Sequence, residues 1–146
     1  LETMESDMAT NLTSFYTGEV RIRHAEYEQY ERYNPLHLSL DSDAVIETVL
    51  QVEGVETATA RINFPANLYL EGKNNPVMGV GVDFETERAF IDFPSLVTEG
   101  RLPESGKNEI LLSSLLSRDL GVGLGDKVTM LTSTALRGSN AMTFTL

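Results

Sequence analysis

Not one cysteine occurs in the 146 residues, so disulfides, thiol nucleophiles and cysteine-based zinc sites are all excluded. Tryptophan is absent as well. No apolar run approaches the ~18 residues that a membrane-spanning helix needs, and no signal-peptide pattern opens the chain. Positive charge is scarce: 11 Lys and Arg stand against 22 Asp and Glu, a formal net charge of −11. That balance speaks against nucleic acid and against anionic lipid, since phosphates are bound through Lys and Arg. The only histidines are His24 and His37, in no paired ligand spacing, so a catalytic zinc site is not expected. Nothing in the sequence asks for a cofactor.

What is present is ordinary globular material. Apolar residues make up 41% and charged residues 23%, a mixture that buries a core rather than staying disordered. The size suits one domain or two small subdomains. Met4, Met8 and Leu12 recur as on one helix face, and residues 142–146 alternate apolar and polar as a strand does. Neither end carries a cap or turn, so both read as boundaries inside a longer chain.

The pattern between those ends predicts an α+β fold. Residues 18–24 set Val20 and Ile22 against Glu19, Arg21 and Arg23, a half-buried strand. Tyr27, Tyr30 and Tyr33 follow at helical spacing until Asn34 and Pro35 stop them. Asp41, Ser42 and Asp43 offer N-caps for a helix through Leu50, with Val45, Ile46, Val49 and Leu50 as its buried stripe and Gly54 as its C-cap. Residues 55–64 read as a strand, Pro65 as a break, and residues 66–71 as a continuation. Residues 72–76 have turn chemistry, so residues 77–83 are expected to return antiparallel. A hairpin is expected between strands 127–131 and 142–146, with residues 132–141 as its tip.

The most complete unit lies at 108–131. Ile110, Leu111 and Leu112 form a short apolar strand; Ser113 or Ser114 caps a helix carrying Leu115, Leu116 and Leu120; Gly121 stands where a left-handed cap needs no Cβ. Gly123 and Gly125 then permit a tight reversal into the next strand. Gly121, Gly123 and Gly125 do not make a nucleotide loop, because they follow a helix and open a strand. Ser113 and Ser114 lack the Gly-x-Ser-x-Gly elbow of hydrolases.

With Gly100, Arg101, Leu102 and Pro103 just before it, this unit resembles the extracytoplasmic domain of MacB/LolC/LolE-type (FtsX-like) ABC transporter permeases. Members show a Gly-Arg-x-Pro, Glu-Ile-Leu-Leu-Ser, Leu-Gly and Gly-Asp-x-Val succession. Residues 17–24, 34–36 and 52–55 extend the likeness upstream. So do Gly79, Val80, Gly81, Val82 and Asp83 with Glu85 and Glu87, and the likeness spans residues 12–146. It implies a MacB-like periplasmic core with a mixed or antiparallel sheet and two main helices, incomplete at its C-terminus. Residues 1–12 would end a membrane-linking helix, 13–71 form a first α+β portion and 72–146 a second, β-rich one.

The function so implied is mechanotransmission. A non-enzymatic domain on the periplasmic side of the bacterial inner membrane would couple ATP-driven motion of membrane helices to export or release of a lipoprotein, peptide or drug. Its partners would be the membrane helices of its own permease, a separate ABC-type ATPase subunit, and a periplasmic chaperone or adaptor, in a dimeric transporter. Lipoprotein-releasing members hook a chaperone with a longer, proline-containing hairpin, whereas residues 132–141 are short and proline-free. The partner-binding candidates are therefore Leu136 and Arg137 at the tip, and Tyr27, Tyr30 and Tyr33, whose amphipathic rings suit either an interface or a core edge.

Two other classes compete. A secreted ligand- or calcium-binding module could use Asp83, Glu85, Glu87 and Asp92 as oxygen ligands, although a solvated acidic face explains them more simply. A carboxylate-based hydrolase would need two of those groups at a set separation. Asn11 and Thr13 fit a glycosylation acceptor, a short and common pattern.

Overall fold

A computed structural model describes residues 20–136 and 138–146. The expected helix face at Met4, Met8 and Leu12, the acceptor at Asn11, the start of the 18–24 strand and Arg137 lie outside the described residues. The class is α+β: a four-stranded antiparallel sheet ordered β2-β1-β3-β4, with short helices. The strands are β1 (Arg61–Leu70), β2 (Lys73–Val82), β3 (Lys127–Ser133) and β4 (Ser139–Thr145). The helices are α1 (Tyr27–Tyr30), α2 (Ser42–Val49), α3 (Phe84–Glu87), α4 (Phe93–Leu96) and α5 (Ser114–Leu120). A 3₁₀ turn, Glu31–Tyr33, extends α1.

Two hairpins make the sheet, and one short seam joins them. β1 and β2 pair along their whole length, from Arg61↔Val82 to Leu70↔Lys73. β3 and β4 pair from Lys127↔Thr145 to Ser133↔Ser139. β1 meets β3 only from Ala66↔Thr132 to Tyr69↔Thr129. At that seam Leu68 and Val128 are buried, and Val122 joins them. Alternation along the strands puts Leu68, Leu70, Val77, Val128 and Met130 on one face. Ile110, Leu112, Leu116 and Leu120 pack against that cluster from the segment leading into α5 and from α5 itself. The opposite face leaves Tyr69, Met78 and Val80 exposed.

α5 is built by its punctuation. The Ser113 hydroxyl accepts from the Leu116 N–H at 3.2 Å. Gly121 adopts φ +71° and donates to Arg118, while Val122 donates to Ser117 at 3.0 Å, which closes a Schellman-type end. That turn delivers Val122 into the core. Asp126 then accepts from the Gly123 N–H at 2.9 Å and fixes the reversal into β3. In α2 the N-cap is Asp41, whose side chain accepts from Ala44.

Several expectations need correction. Residues 20–24 form no strand; Val20 and Ile22 are exposed, because alternation alone supplies no pairing partner. Residues 55–60 lie outside the sheet, and β1 runs unbroken through Pro65. The register explains this: Leu70↔Lys73 closes a two-residue hairpin, so Pro65 and Pro76 occupy positions whose nitrogens point away from the β1–β2 ladder. The turn is accordingly Glu71 and Gly72, and Lys73 through Pro76 belong to β2. Ile110 through Leu112 make no strand; a single parallel bridge, Glu109↔Thr145, remains. α2 ends at Val49 with Leu50 as C-cap, and Gly54, at φ +89°, serves the following turn. Leu50 is exposed, so the expected stripe is only partly covered.

The two glycines of β2 have a steric cause. Gly79 and Gly81 lie opposite Phe64 and Ile62, and a Cβ on Gly79 would come within 2.5 Å of the Phe64 ring. The ring occupies the space that a side chain at Gly79 would take.

Glu71 sits at φ +47° in a turn that requires left-handed backbone at both central positions. Replacing it by Asn, which tolerates that conformation, is expected to stabilise the protein by about 0.5–1 kcal/mol. Urea denaturation of Glu71→Asn beside the parent measures this; no gain, or a loss, refutes the strained-turn account.

Candidate functional site

Two arginine–carboxylate knots organise the regions that the sequence singled out. At one end of the sheet Arg61 opens β1, and α3 follows the last residue of its partner strand. Arg61 Nε donates to Glu87 Oε1 at 2.6 Å and Nη2 to Oε2 at 2.6 Å, a bidentate pair. Thr59 donates to the same Oε1 at 3.3 Å and shares a 2.9 Å hydroxyl contact with Thr86. The guanidinium lies 5.9 Å from the Phe90 ring centre. Glu87 is fully buried. Of the acidic group, Asp83, Glu85 and Asp92 are exposed, as a solvated face requires, and only Glu87 departs from it by being internal; Asp83 caps α3 by accepting from the Glu85 N–H, and Glu85 pairs with Arg88. Among the described residues no group of three or more His, Asp and Glu is placed to hold a metal ion.

The second knot gathers the Gly-Arg-x-Pro and Glu-Ile-Leu-Leu segments. Gly100, at φ +78°, lies against Leu124, where a Cβ would meet Leu124 Cδ2 at 2.8 Å. Arg101 Nη1 and Nη2 donate to the two oxygens of Glu109 at 2.8 and 2.7 Å. The Glu104 N–H donates to Glu109 Oε2 at 2.9 Å, and Arg101 also donates to the Leu102 carbonyl at 2.8 Å. The Arg101 hydrogen bonds, then the one from the Glu104 backbone, hold the Glu109 carboxyl down at about 2. The Arg101 guanidinium is raised by the same bond to Glu109. Glu109 in turn bridges to Thr145, so the knot ties the 100–109 loop to the outer side of β4. Ile110, Leu124 and Leu146 line a shallow cleft of about 220 Å³ beside it.

The partner-binding candidates fall in two separate places. Tyr27 is half-buried, with the Arg23 guanidinium 4.8 Å from its ring centre; Tyr30 and Tyr33 are exposed. Tyr33 sits on the 3₁₀ turn that follows α1, with the Arg32 guanidinium 4.5 Å from its ring centre. Arg23 also pairs with Glu31 at 2.7 Å. Leu136 is at the tip of the β3–β4 hairpin, 92% exposed. Among the described residues no hydrogen bond, ion pair or ring contact joins the tyrosines to that tip. His24 accepts from the Glu26 N–H through Nδ1, a local turn contact.

No family model and no curated protein matches the chain.

Two outcomes follow from the knots. Glu87→Ala is expected to cost about 3–5 kcal/mol, because it removes the bidentate carboxylate partner of a mostly buried guanidinium. The double change Arg61→Met with Glu87→Leu should recover most of that loss; urea midpoints decide, and a mild single-variant effect would show that the pair does not hold α3. For Glu109 the folded carboxyl sits near 2 against an ordinary 4.5, so its contribution is present above 4.5 and disappears as pH falls towards 2. Melting curves of the parent and Glu109→Gln should differ most above pH 4.5 and converge near pH 2. A gap independent of pH would contradict the assignment.

Proposed function

We propose that this chain is the extracytoplasmic domain of a MacB/LolC/LolE-type ABC transporter permease. In this reading it has no catalytic residues and relays ATP-driven movement of membrane helices to a lipoprotein, peptide or drug. The observation that supports the reading is the 100–131 run. Its successive motif residues occupy one continuous structural unit, knotted by Arg101 and Glu109 and closed by the Ser113, Gly121 and Asp126 turns. Each of these residues has a mechanical task. Arg101 and Glu109 tie a loop to an edge strand, Gly100 lets Leu124 approach, and Asp126 sets the entry to β3.

A lever needs stiff joints and an exposed contact point. Leu136, carried at the end of a two-stranded arm, fits the second role, and Tyr30 and Tyr33 form another accessible surface. The partners in this reading are the permease's own membrane helices, a cytoplasmic ATPase subunit, and a chaperone or adaptor outside the inner membrane. The transporter would be dimeric.

The absence of cysteine in these residues makes a direct test practical. In the membrane-embedded parent protein of intact bacterial cells, Leu136→Cys should react with a membrane-impermeant maleimide that enters the periplasm but not the cytoplasm. Labelling only after the inner membrane is breached would overturn the proposed location. Leu136→Asp should then lower substrate release while leaving ATP hydrolysis by the associated ATPase in place.

A further inference from the structure

Cations are scarce in this chain, and residues 20–33 hold a large share of them. Arg21, Arg23 and Arg32 stand there against Glu26, Glu28 and Glu31, whereas the whole sequence sets 11 Lys and Arg against 22 acids. Among the described residues, Arg21, Arg23, His24, Ala25 and Glu28 line an open cleft of about 520 Å³. It shares no residue with either arginine knot or with the cleft beside Glu109.

The donors of this cleft differ in how far they are committed. Arg23 gives one bond to Glu31, from Nη1 to Oε1 at 2.7 Å, and its guanidinium stands 4.8 Å from the Tyr27 ring centre. That pair fixes the side chain and uses one of the five N–H groups of its fork. Arg21 is exposed and has no hydrogen bond, ion pair or ring contact among the described residues. His24 accepts the Glu26 N–H at Nδ1, so its neutral ring carries the proton on Nε2. Of the described lining residues Glu28 alone is acidic.

We propose that this cleft binds a terminal phosphate group, held by Arg21 and Arg23 with the His24 Nε2–H as a third donor. Such a phosphate brings three acceptor oxygens and a charge of about −1.5 to −2 near neutral pH. It can engage two guanidiniums and an imidazole together, whereas a carboxylate has only two oxygens to share among them. The net charge of −11 does not forbid this, because exposed charges more than ~8 Å away are largely screened and the lining residues decide. Glu28 opposes the ligand and keeps its affinity low. Exposed apolar side chains adjoin the cleft. Val20 and Ile22 neighbour Arg21 in the chain, and Tyr30 and Tyr33 flank Glu31, to which Arg23 is tied. They suit a phosphate that carries an apolar tail, so free phosphate and a phosphorylated lipid headgroup are the two sources to tell apart. The inference stands independently of the transporter reading.

Proton–nitrogen correlation spectra of the chain, titrated with inorganic phosphate at constant ionic strength, should show saturable shifts at Arg21, Arg23 and His24 in the millimolar range. Arg21→Gln should weaken binding about tenfold or more, the loss of a charge-assisted hydrogen bond. Glu28→Gln should tighten it. Lys73→Gln, which removes an exposed cation on β2, should leave it unchanged. Dihexanoyl phosphatidic acid is the second probe. If it binds more tightly than phosphate, with shifts spreading to Val20, Ile22, Tyr30 and Tyr33, the site holds and takes a lipid headgroup. If it binds equally or more weakly, the site holds and takes free phosphate. Absence of saturable shifts at Arg21 with both probes, acetate binding as tightly as phosphate, or an equal loss in Lys73→Gln would each overturn the proposal. The last result would reduce the effect to general charge attraction.

Discussion

Leu68 against Val128 is the contact on which this architecture turns. Leu68 sits in the short seam where β1 meets β3 and Val128 just beyond the end of it, and among the described residues that seam is the sole ladder between the two hairpins. Each hairpin is local and closes a small loop. The seam is not: it joins residues 66–69 to residues 129–132, and forming it carries the closure entropy of the long intervening chain. Few apolar residues are buried among those described, so the seam carries a large share of the core. Val122 reaches it only because Gly121 turns the chain back after α5. A helix cap thereby becomes part of the core.

The parts of the fold legible from sequence were those written in adjacent residues. Ser113 and Gly121 frame α5 because a hydroxyl at one end and a Cβ-free residue at the other satisfy orphan backbone groups within a turn. Asp41 does the same for α2. Where the outcome depended on a distant partner, local pattern misled. Lys73, Asn74, Asn75 and Pro76 have turn composition but lie in an edge strand, where an outward proline nitrogen costs nothing. The alternation around Val20 and Ile22 is strand-like, yet no described strand pairs with residues 20–24.

The candidate site divides in the same way. Leu136 was placed at a hairpin tip by the polar residues around it, and it is there. The spacing of the tyrosines sets them on one helical segment, and Tyr27 and Tyr30 lie on α1 with Tyr33 on the 3₁₀ turn that follows it. Neither arginine knot was visible. Arg61 and Glu87 are far apart in sequence, and nothing local distinguishes Glu87 from Asp83 or Glu85, its exposed neighbours. Burial decides that difference, and burial belongs to the folded chain.

In a protein with 22 acidic and 11 Lys and Arg residues, the cations are the scarce partner, and their placement shows what must be held. Arg61 is spent on the only buried charged residue among those described, and fixes α3 beside the end of the sheet. Arg101 is spent on the 100–109 loop and fixes it to the outer side of β4. Both are bidentate arginines, whose planar fork fixes direction as well as distance, unlike a lysine's single point of charge. An exposed pair of this kind adds little to global stability. What it does add is a defined position for a segment that packs few apolar atoms. The sheet supplies cohesion through a small core, and the arginines set the angles at which its loops leave it.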